Sequence, residues 1–166
     1  MIRIILGNIG SGKSARIVKE IVTDKTNRIY FSNIETKGTK NNVKIDSSMI
    51  IKKTIIEAEG KGKDKEELSL NVDYWKEATK KYGAISVVID EAHSVLNPRR
   101  AMSKINIIMT DFLALLRRIL GSDSAGYGEL VLITQLERRI DPIAREMATA
   151  VHFHICHYQK GCDTCG

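Results

Sequence analysis

The feature that most constrains this chain is an eight-residue stretch near its start, Gly7-Asn8-Ile9-Gly10-Ser11-Gly12-Lys13-Ser14. Residues 2–6 before it are apolar except for Arg3 and read as a buried strand. After it, Ile17, Val18, Ile21 and Val22 recur at helical spacing. Strand, glycine-rich loop and helix, with the spacing G-x-x-x-x-G-K-[ST], are the context in which backbone N–H groups wrap a polyphosphate. The positive end of the helix lies behind that loop. Lys13 is placed to reach the β- and γ-phosphates, and the Ser14 hydroxyl to bind Mg²⁺. All eight residues are candidate nucleotide contacts.

Further along, strands and helices alternate. Residues 28–32, 84–89, 131–134 and 150–156 read as further strands. Helices are expected over 13–23, 72–81 and 103–120, with a short one starting at Asp141-Pro142 that buries Ile143 and Met147. Asn71 is the cap expected for the second helix and Gly83 its stop. Ile105, Ile108, Met109, Phe112, Leu115, Leu116 and Ile119 give the longest helix one broad apolar face. Connections of this length suit parallel crossovers. The expected fold is α/β: a three-layer phosphate-loop NTPase sandwich around a mostly parallel sheet of about five strands. The strand ending in Gln135 is expected between the first strand and residues 85–89. Residues 34–48 read as a hairpin or an open loop, and 49–56 are too mixed to assign. The charged run 57–67 and the glycine-rich run 121–128 read as loops. Tyr74 and Trp75 either pack on the sheet or stack on a base.

In such sheets the ligand lies at the carboxyl ends of the strands. Gly7, Asp90 and Gln135 all stand there. Asp90 is expected to hold Mg²⁺ opposite Ser14, and Glu91 to polarise a water for attack on the γ-phosphate. Two adjacent carboxylates favour hydrolysis over transfer to a substrate hydroxyl, which argues against a small-molecule kinase. The Gln135 amide either contacts the γ-phosphate and the water or caps its strand. His93 either senses the nucleotide or lies solvated on the surface. A transition-state cation is needed as well. Arg99, Arg100, Arg117, Arg118, Arg138, Arg139 and Arg145 are candidates, with Arg117 and Arg118 preferred. None of the seven lies near the phosphate loop in sequence. The natural source is therefore a neighbouring subunit, which makes the expected active form a ring.

These motifs resemble the HerA–FtsK superfamily of ATPases, with their catalytic glutamate and added strand. Within it, they resemble the zonular occludens toxin-type proteins of filamentous phages and the packaging ATPases of archaeal viruses. The residues that carry the resemblance are 7–14 (GNIGSGKS), 30–33 (YFSN), 87–93 (VVIDEAH) and 132–135 (LITQ), followed by Asp141 and Arg145. It implies hexameric or similar rings that use ATP to move double-stranded DNA, or to drive virion assembly or export with capsid or assembly proteins. Toxin-type members usually carry a membrane segment and a further domain, and neither is expected here. No apolar run approaches the roughly 20 residues that span a bilayer. With Met1 running straight into the first strand, a cytoplasmic motor acting in viral genome packaging is the expectation.

Charge agrees without deciding. The chain has 166 residues with 26 basic and 20 acidic side chains, a net charge of +6 that is compatible with nucleic acid. Lys37, Lys40, Lys44, Lys52 and Lys53, or the 121–128 loop, are the expected DNA contacts. The expected division is an ATPase domain over 1–155 and a tail over 156–166. All three cysteines lie in that tail. Cys162 and Cys165 have knuckle spacing, and Cys156 or His157, with His152 or His154, could complete a Zn²⁺ site. Free thiols are the other reading.

Overall fold

The computed structural model describes residues 1–56, 65–94, 104–119, 122–123, 126–135, 140 and 142–155. β1 (Ile2–Gly7) leads through the glycine-rich loop into α1 (Lys13–Thr23), followed by β2 (Ile29–Ser32), β3 (Asn42–Lys44) and the one-turn α2 (Ser47–Ile50). β4 (Ile51–Ile56) and β5 (Lys65–Leu70) form a separate antiparallel pair. Then come α3 (Val72–Tyr82), β6 (Ile85–Ile89), a 3₁₀ turn (Ala92–Ser94) and α4 (Lys104–Ile119). β7 (Ser122–Asp123) pairs with β8 (Gly126–Tyr127), and β9 (Glu129–Thr134), α5 (Pro142–Glu146) and β10 (Ala150–His154) follow.

Six strands build the main sheet in the order β10-β1-β9-β6-β2-β3, all parallel. β9 lies between β1 and β6, as the sequence predicts. The central strands are buried on both faces, and every residue of β6 and β9 is buried. That explains their largely apolar sequences, interrupted only by Ser86, Glu129 and Thr134. Alternation along β1 sends Ile4 and Leu6 to one face and Ile5 to the other. Ile17 and Ile21 of α1 cover Ile5, Val88, Val131 and Ile133. On the opposite face, α3 and α4 bring Trp75, Met109, Phe112 and Leu113 onto Leu6, Phe31, Val87 and Leu132. This is a helix–sheet–helix sandwich.

Trp75 settles one of the open readings. It is fully buried, with its ring centroid 5.3 Å from Phe31 and 5.2 Å from Phe112. It packs on the sheet and cannot stack on a base. At the far ends of the strands, Arg3 bridges Glu20 at 2.6 Å and Glu129 at 3.0 Å. Burial pushes the Glu129 carboxyl up, and the Arg3 charge works against that shift.

Several expectations are corrected. Residues 42–44, read as part of a hairpin or an open loop, form β3, a three-residue edge strand that pairs with β2 and brings the sheet of about five strands to six. The β3 sequence, Asn-Val-Lys, has a polar character that edges permit and that gives little strand signal. Residues 65–67 belong to β5 rather than a loop, since Glu66 and Glu67 pair with Ile55 and Thr54 across the β4–β5 ladder. Residues 122–123 and 126–127 pair as a short hairpin. In α5 the buried residue is Ala144, while Ile143 is half exposed and Met147 packs at the core margin. A five-residue helix lying on a sheet by one face needs only one inward position, and the small side chain lets it sit close. In α1 Val22 turns outward.

The core geometry makes a specific prediction. Trp75→Ala should cost about 3–5 kcal/mol of stability. Trp75→Phe should cost clearly less, because the buried indole N–H finds no acceptor among the described residues. Urea unfolding followed by far-ultraviolet circular dichroism measures both.

Candidate nucleotide-binding site

The site lies where β1, β9 and β6 end side by side. In the parallel registers, Leu6 stands opposite Thr134, and Ile89 opposite Leu132. Gly7, Gln135 and the Asp90-Glu91 pair therefore emerge at one edge of the sheet. A cleft of about 550 Å³ opens there, lined by Ile9, Gly10, Gly12, Lys13, Ser14, Ala15, Glu91 and Gln135.

The loop is shaped from within. Gly12 has φ 82°, a left-handed conformation that turns the chain into α1. Gly7 is required for a different reason. A Cβ there would fall on the carbonyl oxygen of His154, in β10, and within 2.6 Å of Ser11 Oγ. Lys13 folds back over the loop and is almost wholly buried, donating to Gly7 O at 2.7 Å and Asn8 O at 2.8 Å. Asn8 O also accepts from the Ser11 N–H at 3.2 Å.

The acidic pair is fixed with equal care. Ser14 Oγ donates to Asp90 Oδ2 at 2.6 Å, joining the loop to the end of β6. Asn33, just past β2, clamps Asp90 from the side. Its Nδ2 donates to Asp90 O at 2.9 Å, and its Oδ1 accepts from Asp90 N at 2.7 Å. Asp90 Oδ1 in turn accepts from the Glu91 N–H at 2.8 Å. Glu91 is held at φ 53°, a left-handed backbone that a glutamate adopts at a cost of roughly 1–3 kcal/mol. This turn aims the two carboxylates apart: Asp90 faces Ser14, while Glu91 lines the cleft and receives Gln135 Nε2 at 3.5 Å.

Three observations suit a magnesium–nucleoside triphosphate. Helix α1 starts with no side-chain cap, leaving its N-terminal N–H groups suited to an anion. Ser11 Oγ is buried and without a partner among the described residues, beside the loop backbone. The hydroxyl of Ser14 and the carboxylate of Asp90 form the all-oxygen pair that Mg²⁺ prefers.

A family profile decides the relationship, matching residues 1–159 to the zonular occludens toxin (Zot) family. The chain belongs to the Zot family. It is similar to the N-terminal domain of zonular occludens toxin from Neisseria meningitidis, at 21% identity and TM-score 0.57 over 96% of this chain and 78% of that one. It is also similar to the genome packaging NTPase B204 from Sulfolobus turreted icosahedral virus 2, in complex with ATP-gammaS. That likeness has 19% identity and TM-score 0.54 over 96% of this chain and 77% of that one. A chain of the E. coli MS115-1 HORMA:CdnC:Trip13 complex matches at 17% identity and TM-score 0.56, over 95% of this chain and 48% of that one. At such identities the likeness is one of fold. No protein with a curated description matches significantly.

In this Zot-family chain, the residues read from sequence divide cleanly. Lys13, Ser14, Asp90, Glu91 and Gln135 meet at the site. Lys13 is the only cation among the described residues lining the cleft. Arg117 and Arg118 fall within α4, where the description stops at the backbone. Arg145 is half-buried on α5, and its Nε has no partner among the described residues. Arg99, Arg100, Arg138, Arg139 and Asp141 lie outside the described residues, as do Cys156, His157, Cys162 and Cys165. His154 Nε2 accepts from Arg16 at 3.0 Å, and no cluster among the described residues could hold a metal. Sequence reasoning passed over Arg16, only two residues beyond Ser14. It also gave Asn33 no role, although an asparagine directly after a strand was a usable signal.

The packing at Gly7 is testable. Gly7→Ala should weaken binding of a fluorescent ATP analogue at least tenfold and lower the melting temperature, because the added methyl separates β1 from β10. Titration and a thermal melt read the two effects.

Proposed function

We propose that this chain is a magnesium-dependent ATPase that hydrolyses ATP to ADP and phosphate, and that it works as a ring-shaped motor on double-stranded DNA in viral genome packaging. The observation that carries the hydrolytic reading is the divergence of Asp90 and Glu91. One carboxylate is bonded to Ser14 at 2.6 Å, and the other lines the cleft beside Gln135. Lys13 and the loop backbone bind the polyphosphate. Ser14 and Asp90 would hold Mg²⁺, whose charge offsets that of the phosphates. Glu91 takes a proton from water as the water oxygen bonds to the γ-phosphorus and the bond to the bridging oxygen breaks, releasing ADP. Gln135 orients that water.

The cleft's single described cation, Lys13, supports a site completed in trans by an arginine of a neighbouring subunit, Arg117 or Arg118 by preference. Similarity to a protein described as a genome packaging NTPase supports DNA as the cargo. So do the exposed Lys37, Lys40, Lys44, Lys52 and Lys53, although Lys44 pairs with Glu35 and Lys52 with Asp73. Membership of the Zot family favours a second reading, an assembly or export ATPase acting on protein. Among the described residues no helix is long and apolar enough to cross a membrane.

Phosphate release tests the chemistry. Lys13→Ala should abolish nucleotide binding or turnover. Glu91→Gln should bind ATP within about twofold of wild type yet turn over roughly 10²- to 10⁴-fold more slowly. Duplex DNA should stimulate the wild-type activity, and the stimulation should fade as salt rises from about 50 to 200 mM. A protein-directed motor would show no such response. Mass measurement with ATP present reads the ring.

A further inference from the structure

His93 lies on the 3₁₀ turn that follows the acidic pair, and it is not a solvated surface residue. Its Nδ1 is 3.2 Å from Glu91 Oε2 and 3.4 Å from Thr134 Oγ1. Gln135 Nε2 faces the other oxygen of the same carboxylate, Oε1. Each oxygen of Glu91 thus has its own nitrogen partner. A carboxylate only accepts, whereas the Thr134 hydroxyl can donate or accept, so the contact with Oε2 is favourable when Nδ1 carries a proton. The imidazole rests on fixed surroundings. Ala92 beside it is fully buried, and Ser94 N donates to Glu91 O at 2.8 Å, closing the turn. Thr134, behind the ring, is buried in the end of β9.

We infer that His93 is a positioning residue for Glu91, holding Oε2 so that Oε1 is the oxygen presented to water in the cleft. This inference rests on the hydrolytic reading above. A glutamate side chain has three rotatable bonds, and half of its surface is exposed here. Without a tether, most of its rotamers would point the base away from the cleft, and small misplacements of a catalytic group cost up to about 10² in rate. The two partners differ in kind. Gln135 stands at a strand end beside the phosphates and is free to exchange Glu91 for the γ-phosphate when nucleotide arrives. His93 sits behind the carboxylate, outside the set of residues lining the cleft, and has no phosphate to turn to. It keeps hold of Glu91 when Gln135 lets go.

The experiment compares steady-state ATPase kinetics of wild type, Glu91→Gln, His93→Ala and His93→Asn, with ¹⁵N spectra of the imidazole in the full chain. His93→Ala should lower kcat about ten- to a hundredfold with KM for ATP changed less than about twofold. His93→Asn, whose amide nitrogen reaches the place of Nδ1, should recover turnover to within about fivefold of wild type. The wild-type spectrum should show the proton on Nδ1, with that resonance moving in Glu91→Gln. Three outcomes overturn the inference: His93→Ala turning over like wild type, KM rising as much as kcat falls, or a neutral imidazole protonated on Nε2 alone. If wild type does not hydrolyse ATP, the hydrolytic reading fails instead, and the spectrum still decides whether His93 holds Glu91.

Discussion

The parallel register of β1, β9 and β6 is the constraint on which the rest depends. The candidate groups stand at strand ends or on the loop, helix start and turn that follow them, so their positions are set by which residue pairs with which. Shifting one strand by two residues would preserve every buried face and still separate Ser14 from Asp90 by several ångströms, since each residue rises about 3.3 Å. The apolar fill of the sandwich is thus also a positioning device. Trp75, Phe31 and Phe112 lie on one face and Ile17 and Ile21 on the other. They brace a sheet whose ends must meet to within the length of a hydrogen bond.

Within that frame two short-range devices do the fine placement. Asn33 grips both polar atoms of the Asp90 backbone, tying the ends of β2 and β6 together where the ladder itself has stopped. Asp90 then uses one carboxylate oxygen on Ser14 and the other on the Glu91 N–H. The left-handed backbone at Glu91 is the price of turning two consecutive side chains in different directions. The hydrogen bonds around Asp90 offset that strain.

Much of this was legible in the sequence, for identifiable reasons. The phosphate loop could be read because its glycines and lysine answer to backbone geometry and charge, and both are local. The buried strands could be read because the centre of a parallel sheet is apolar on both faces. β3 and β5 could not, since Asn42, Lys44, Glu66 and Glu67 are polar residues whose pairing is settled by partners distant in sequence. Ile108, Met109 and Phe112 are buried as their spacing predicts, and Leu113 is buried beside them, because the buried stripe is broader than the i, i+3, i+4 pattern suggests. The contacts of Asn33 and His93 were hidden for the same reason as β3. Each acts on a residue that only the folded chain brings beside it or turns toward it.

The left-handed residue at position 91 also bears on how this chain can change over time. Conformation and chemistry ask for different side chains there. The backbone alone would favour asparagine, aspartate or glycine, which accept positive φ far more readily than glutamate does. Only the longer glutamate extends its carboxylate into the cleft from that turn. Aspartate, the substitution nearest in chemistry, would relax the chain while withdrawing the proposed base by one methylene. Drift toward stability at this position therefore runs against the hydrolysis proposed above, and a glutamate retained there is one kept against the preference of its own backbone.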